Sequence, residues 1–447
     1  MTTNSTSYLN RTQSSSTSDK IGTFSAWIKG MVAGETNSIF TGYTDNNNKI
    51  YLYLSDRLQI YGATSGSQSV YLQTTAKFRD PSAYYHVVVA WDTTQGTASN
   101  RFKIYVNGEQ ITEFDTASYP SQNTDVYWNK GTTSLIGARY VSSIVNYFYG
   151  YMSHAAFVDG QQLAPTVFGE TDSTSGIWKF KSPSGVTWGN NGFHLKFENS
   201  GNLGLDSSGN SNTFTVNGNG RQALDTPSNV YATWNPLASK IIGTVDWTLK
   251  DGNTNFDPGS NTNQFTTGTL CPAAGKWYWE MKSVQGSATD WPDLGIMFTD
   301  SISTHMAATG NPQHNFSYTV SLESNGTRWV LGTQSTSWVS GYGNGDIIMI
   351  AVDVDAGKLW WGKNGSWFES ANPASGAQAH AAWTAGTSIT PWIEQYNAGE
   401  VQANFGSGYF GTTAITSAGS NGNGSLFEYD VPSGYYGLNT KNINTYG

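Results

Sequence analysis

The sequence predicts an all-β chain built as two tandem antiparallel β-sandwiches, and three features predict it. No long window of the 447 residues shows the 3.6-residue apolar period of an amphipathic helix; short apolar runs alternate instead with Ser, Thr, Asn and the 50 glycines. In Gly345–Phe368 (GDIIMIAVDVDAGKLWWGKNGSWF), Ile348, Ile350, Val352 and Val354 alternate with Met349, Ala351, Asp353 and Asp355, the period of two of a strand. Asp355-Ala356-Gly357-Lys358 then turns the chain, Lys358–Lys363 returns carrying Trp360 and Trp361, and Asn364-Gly365 turns it again. Finally, the order apolar strand, Asp, turn, aromatic strand, Asn-Gly recurs in His86–Asp92 (HVVVAWD) and Arg101–Gly108 (RFKIYVNG). The recurrence differs mainly in loop length and points to two domains of similar architecture.

Taken in order, Met1–Ser7 is a polar tail, and Ser7–Thr12 and Gly22–Lys29 read as the first strands. Asn46-Asn47-Asn48 turns the chain into Lys49–Leu54, followed by Arg57–Tyr61 and Val70–Thr75. After the His86–Gly108 hairpin come Leu135–Arg139 and Phe148–Val158, a turn at Asp159-Gly160, and a short helical turn within Leu163–Phe168. Glu170–Asn191 is irregular; Gly192–Phe197 and Leu205–Val216 supply late strands. The turn-rich segment NGNGRQALDTPSN separates the two units, expected at 1–222 and 223–447. In the second, Gly275–Val284, Asp293–Phe298, the Gly345–Phe368 hairpin and Thr390–Gly406 are the main strand stretches.

These stretches carry two resemblances. SYLNRT, FSAWIK, FRDPSAYYHVVVAWDTT, RFKIYVNGE, YPSQN, IGA and FVDGQQLAPTVFGE, continued by GFHLKF and LDSSGNSNTFTV, resemble laminin G-like, concanavalin A-like jelly rolls, with wording closest to virion proteins of tailed phages. GKWYWEMKSV, DLGIMF, the long hairpin and TPWIEQYNAGEVQANFG fall in the order of the SPRY family, and PSGYYGLNTKNI resembles the tail that follows such domains in phage proteins. The resemblance implies two tandem jelly-roll-type sandwiches, concanavalin A-like and then SPRY-like. It also implies a virion surface protein, a tail appendage or capsid decoration acting in host attachment by non-covalent recognition. Its partners would be other virion proteins, sister copies in a trimer, and a host cell-surface glycan. The sequence departs from such proteins at its ends, with no virion-anchoring domain before Tyr8, no coiled coil and no fibre shaft.

Composition narrows the alternatives. The 23 basic and 32 acidic residues give a net charge of −9 with no basic run, which leaves no nucleic-acid footprint. Charged residues are only 12% and aromatics 14%, a surface suited to stacking and hydrogen bonding on neutral ligands. Cys271 is the single cysteine, so no intramolecular disulfide forms. The N-terminus has neither a basic nor an apolar leader region, and no window is apolar enough to insert in a membrane. A phage particle, whose proteins are made in the host cytoplasm and released by lysis, reconciles an extracellular composition with that N-terminus.

No catalytic constellation is expected. Glycoside hydrolysis needs two facing carboxylates, yet Glu-x-Asp-x-x-Glu is absent and Glu113-Phe114-Asp115 has no acidic residue following. Asp353 and Asp355 share a strand face at a hairpin end, where a structural role is expected. His86, His154, His194, His305, His314 and His380 lack paired metal spacing, and those in strands read as structural histidines. Asp206-Ser207-Ser208-Gly209-Asn210 is open to calcium or to a metal-free Asx-turn, the latter favoured. No cofactor or metal is therefore expected. Ligand binding is assigned to the second domain's loops at Trp291, His314, Trp338 and Tyr342, with Tyr119 and Trp128 as weaker candidates in the first. The rival classes are a glycan depolymerase with an unrecognised carboxylate pair and a bacterial adhesin.

Overall fold

Alternation along the strands decides which side chains enter the two cores. In the computed structural model, residues 2–3, 6–30, 36–241, 247–259, 264–285, 291–307, 316–396 and 399–447 are described. They divide into two units, Met1–Ser228 and Asn229–Gly447.

In the first unit, one antiparallel sheet runs Gly150–Asp159, Ile21–Lys29, Tyr85–Asp92, Phe102–Val106, Glu109–Ile111, and Phe193–Leu195 also pairs with Gly150–Asp159. The facing sheet runs Phe114–Ser118, Ser67–Lys77, Arg57–Thr64, Asn48–Ser55, Asn37–Asp45, Thr133–Ile136, Tyr8–Thr12, Thr215–Asn217. Phe24 stacks on Phe40 at 4.4 Å, and Trp91, Trp128, Phe157 and Phe193 fill the space between the sheets. The Trp91 indole N–H finds Asn129 Oδ1 at 3.0 Å, so the buried ring keeps its hydrogen bond. The outer face of the first sheet is not bare. Val88, Ala156 and Val158 pack there with Phe168 and with Val186 and Trp188 from the irregular excursion.

The first unit extends past the expected break at Gln222. Gln222 Nε2 donates to the carbonyls of Phe197 and Glu198 at 3.1 and 2.6 Å. Asp225 pairs with the buried Lys29 at 2.5 Å, and Tyr84 Oη donates to the Asp225 carbonyl at 3.0 Å. These contacts sew residues 222–225 to the first unit.

In the second unit, Trp234–Ile241, Gln264–Gly268, Ile389–Tyr396, Trp291–Phe298, Thr319–Glu323, Arg328–Val330 and Thr333–Ser335 form one sheet. The other orders Thr248–Lys250, Asn255–Asp257, Gly399–Asn404, Lys276–Gln285, Ile347–Asp353, Lys358–Lys363, Ser366–Trp367. Trp277, Trp279, Met281, Ile348, Ile350, Val352 and Trp361 point inward to Leu294, Ile296, Val320, Leu322 and Ile393. The alternate residues Tyr278, Met349, Ala351 and Trp360 form an outer face, covered by Phe427, Val431 and Tyr435 of the C-terminal segment. The fold is thus all-β, two antiparallel sandwiches in tandem.

Both long hairpins are present, pairing Val87–Trp91 with Phe102–Val106 and Ile348–Asp353 with Lys358–Lys363. Each is followed by an Asn-Gly turn with both residues at positive φ, Asn107 (49°) with Gly108 (86°) and Asn364 (50°) with Gly365 (87°). A Cβ on Gly365 would also sit 3.0 Å from the Tyr429 ring. Gly365→Ala is expected to cost about 1–2 kcal/mol from the left-handed backbone alone, read as a lower urea midpoint. An unchanged midpoint would mean that the turn relaxes freely.

Candidate functional site

Of the four aromatics expected to bind, the structure describes the side-chain surroundings of Trp338 and Tyr342. Trp291 opens the strand Trp291–Phe298 rather than lying in a loop, its backbone opposite Tyr396. Pro292 is accommodated there because the second neighbouring strand begins to pair only at Asp293. Tyr342 is buried, with its Oη 2.6 Å from the Pro292 carbonyl and 3.0 Å from that of Leu322. It braces its loop and offers no face to a ligand. Trp338 is half-buried against Trp361, Phe368 and His380, with ring centroids at 6.0, 6.0 and 4.8 Å, and the Arg328 guanidinium lies over it at 4.5 Å. His314 lies outside the described residues. In the first unit, Trp128 is fully buried and Tyr119 packs against the core.

A different surface does bring ligand-type groups together. On the outer face of the second unit, a cleft of about 510 Å³ is lined by Met349, Gly365, Trp367, Ser417, Ala418, Gly419, Glu428, Tyr429 and Asp430. Its floor is the sheet, one rim is the Asn364-Gly365 turn, and its far wall is the C-terminal segment. Trp367 and Tyr429 are both half-buried, Glu428 and Asp430 supply carboxylates, and among the described residues no lysine or arginine lines the cleft. Glu428 accepts from Thr416 N at 2.8 Å and from its hydroxyl; Asp430 accepts from Ser420 N at 2.6 Å. Each carboxylate thereby fixes a loop while keeping lone pairs for a ligand.

The wall is held from beneath by Glu280. This carboxylate lies on the outer face of its strand, yet the C-terminal segment leaves it fully buried. It accepts from Glu428 N, Tyr429 N and Tyr278 Oη, each at 2.9 Å, and from Asn404 Nδ2 at 3.4 Å. Burial nevertheless pushes its pKa up to about 7, the donors opposing the shift. The motif GKWYWEMKSV held the sequence signal for this group: a carboxylate at an outward position of a Trp-rich strand needs a cover with donors.

Several of the remaining polar candidates are engaged by partners within the fold. Asp206 accepts from His194 N, Ser208 N, Ser208 Oγ and Asn212 N at 2.8–2.9 Å, while Asn210 Nδ2 donates to the Gly189 and Gly192 carbonyls. The arrangement is that of an Asx-turn. Asp115 pairs with Arg57 at 2.9 Å, Asp353 with Lys276 at 3.1 Å, and Asp355 caps Gly275 N at 2.9 Å. Ser25 Oγ and His86 Nε2 are 2.8 Å apart, a contact the sequence did not reveal. The Trp178 indole N–H donates to His86 Nδ1 at 2.9 Å. The ring proton therefore sits on Nε2 and points at Ser25, the reverse of what a general base requires.

Residues 3–167 match the family model for the concanavalin A-like lectin/glucanases superfamily. No curated protein sequence matches the chain. Among solved structures, the SPRY domain of human HERC1 is similar at 14% identity, covering 38% of this chain and 96% of that one, with a TM-score of 0.30. A heptameric SAP-like pentraxin from Limulus polyphemus is similar at 19% identity over 41% and 82% of the two chains, TM-score 0.29. A Ruminococcus gnavus sialidase module, CBM40, solved with α2,3-sialyllactose, reaches 17% identity over 29% and 71%, TM-score 0.23.

Proposed function

We propose that the chain is a non-catalytic recognition protein of a tailed-phage particle and that it binds a neutral host-surface glycan in the Trp367–Tyr429 cleft. The observation that carries this reading is the lining of that cleft. Two half-buried rings, two carboxylate acceptors and, among the described residues, no cation suit a hydroxyl-rich, uncharged ligand and disfavour an anionic one. The match of residues 3–167 to a superfamily that includes lectins is consistent with sugar recognition. The virion setting, the trimer and contacts with other virion proteins rest on the phage-like wording of the sequence, and several copies on one particle would convert weak sites into firm attachment.

Stacking on one aromatic ring contributes about 0.5–1.5 kcal/mol beyond area burial. Trp367→Ala and Tyr429→Ala are therefore each expected to weaken glycan binding several-fold, read on a glycan array and by calorimetry, with the melting temperature little changed. Equal binding by wild type and both variants would remove the cleft from consideration. Release of reducing ends from a bound polysaccharide would replace the lectin reading with a depolymerase.

A further inference from the structure

On the outer face of the first unit, strand pairing brings together two histidines far apart in sequence. His194 lies opposite Ala156 in the pairing of Phe193–Leu195 with Gly150–Asp159, which makes His154 its diagonal neighbour. The ring centroids are 5.6 Å apart and the rings are inclined at 38°. Phe180 stacks on His154 at 3.6 Å and Trp188 on His194 at 5.8 Å, so both imidazoles are held by their faces and free at their edges. His154 Nδ1 and His194 Nε2 are each buried without a hydrogen-bond partner. His154 also sits at φ 49° beside a register shift in its strand, a conformation that costs free energy for any residue with a Cβ.

We propose that His154 and His194 together bind one late transition-metal ion, of the zinc, nickel or copper type. With nitrogen–metal bonds of about 2.1 Å, two imidazoles on one ion have centroids roughly 5–6 Å apart, the separation seen here. Coordination must use neutral imidazole, and burial lowers the two pKa values to about 3 and about 4, which keeps both lone pairs available at neutral pH. Among the described residues no third His, Cys, Asp or Glu completes a cluster, so the protein supplies two ligands only. Lys196 opposes a cation at both rings and is itself 3.8 Å from Glu198. The site is therefore one of modest affinity.

The test uses the full, untagged chain, stripped with EDTA and titrated with ZnCl2, NiCl2 or CuCl2. One ion per chain is expected, with a raised melting temperature that EDTA reverses. Binding should be lost in His194→Gln and in His154→Asn, Asn being tolerated at positive φ, and tightened in Lys196→Gln. The copper complex of the wild type should show hyperfine coupling to two imidazole nitrogens, a readout that needs no variant. Absence of saturable binding, coupling to fewer than two imidazoles, or binding retained in both histidine variants would overturn the proposal.

Discussion

Asp225→Ala is expected to destabilise the first unit by about 3–5 kcal/mol, the cost of leaving a buried charge without its partner. Lys29 is fully buried, and its ammonium lies 2.5 Å from Asp225 and 5.9 and 5.0 Å from the ring centroids of Tyr84 and Tyr151. Burial lowers its pKa, and Asp225 is the first of the groups that oppose the shift. Without that carboxylate the lysine must either give up its proton or draw water into the site. The double variant Lys29→Met/Asp225→Leu removes both charges at similar volume and should be nearly neutral. Urea unfolding separates these cases. The same contact sets where the first unit can be cut: a fragment of residues 1–222 should resemble Asp225→Ala, whereas 1–228 should be as stable as the intact unit. A loss below about 1 kcal/mol for Asp225→Ala would mean that the pair is solvated and does not fix the boundary.

The elements that could be read in advance are those whose signal is local. Alternation in Ile347–Asp353 and Tyr85–Asp92, and the Asn-Gly pairs after their return strands, specify strand and turn without knowledge of the rest of the chain. The candidate cleft is different, because its floor, rim and wall come from Met349, Gly365 and Tyr429, which share no motif. The wall belongs to an irregular Gly- and Ser-rich segment whose position is set by Phe427 against Tyr278 and by backbone donors to Glu280. Local pattern also misplaced two aromatics. Asp290-Trp291-Pro292-Asp293 looks like a turn, but Pro292 lies where its strand has a single paired neighbour. Tyr342 sits between two glycines in a polar stretch, yet its hydroxyl is satisfied by buried carbonyls. The His154–His194 pair was hidden for a related reason: spacing along the chain does not register a diagonal contact between strands.

The slope of stability against pH should show Glu280 directly. Its ordinary pKa is 4.5 and its folded value is about 7, so between those values the folded state holds a proton that the unfolded state has lost. Its contribution is fully present below pH 4.5 and is lost as pH rises through 7, with a total of order 3 kcal/mol. The buried histidines act with the opposite sign. His86, His154, His194 and His380 are lowered to about 3, 3, 4 and 4, so their contribution is present above 6.5 and lost as pH falls. Between pH 4.5 and 6.5 the four histidines outweigh the one carboxylate, so the wild type gains stability there as pH rises, and the difference between wild type and Glu280→Gln isolates the carboxylate. Glu280→Gln should gain on the wild type as pH rises from 5 to 8, because the amide never carries a charge, although its single oxygen accepts from only one of Glu428 N and Tyr429 N, which bond to different oxygens of the carboxylate. Glu280→Leu keeps the pH-independence but leaves those two N–H groups unpaired, which costs about 1–3 kcal/mol each and should free the segment that walls the cleft. If Glu280 acts on the cleft only by positioning, glycan affinity should fall further in Glu280→Leu, which keeps neither N–H partner, than in Glu280→Gln, which keeps one. A wild type and Glu280→Gln with parallel stability curves across this range would show that Glu280 is ionised in the fold, held by its four donors against burial.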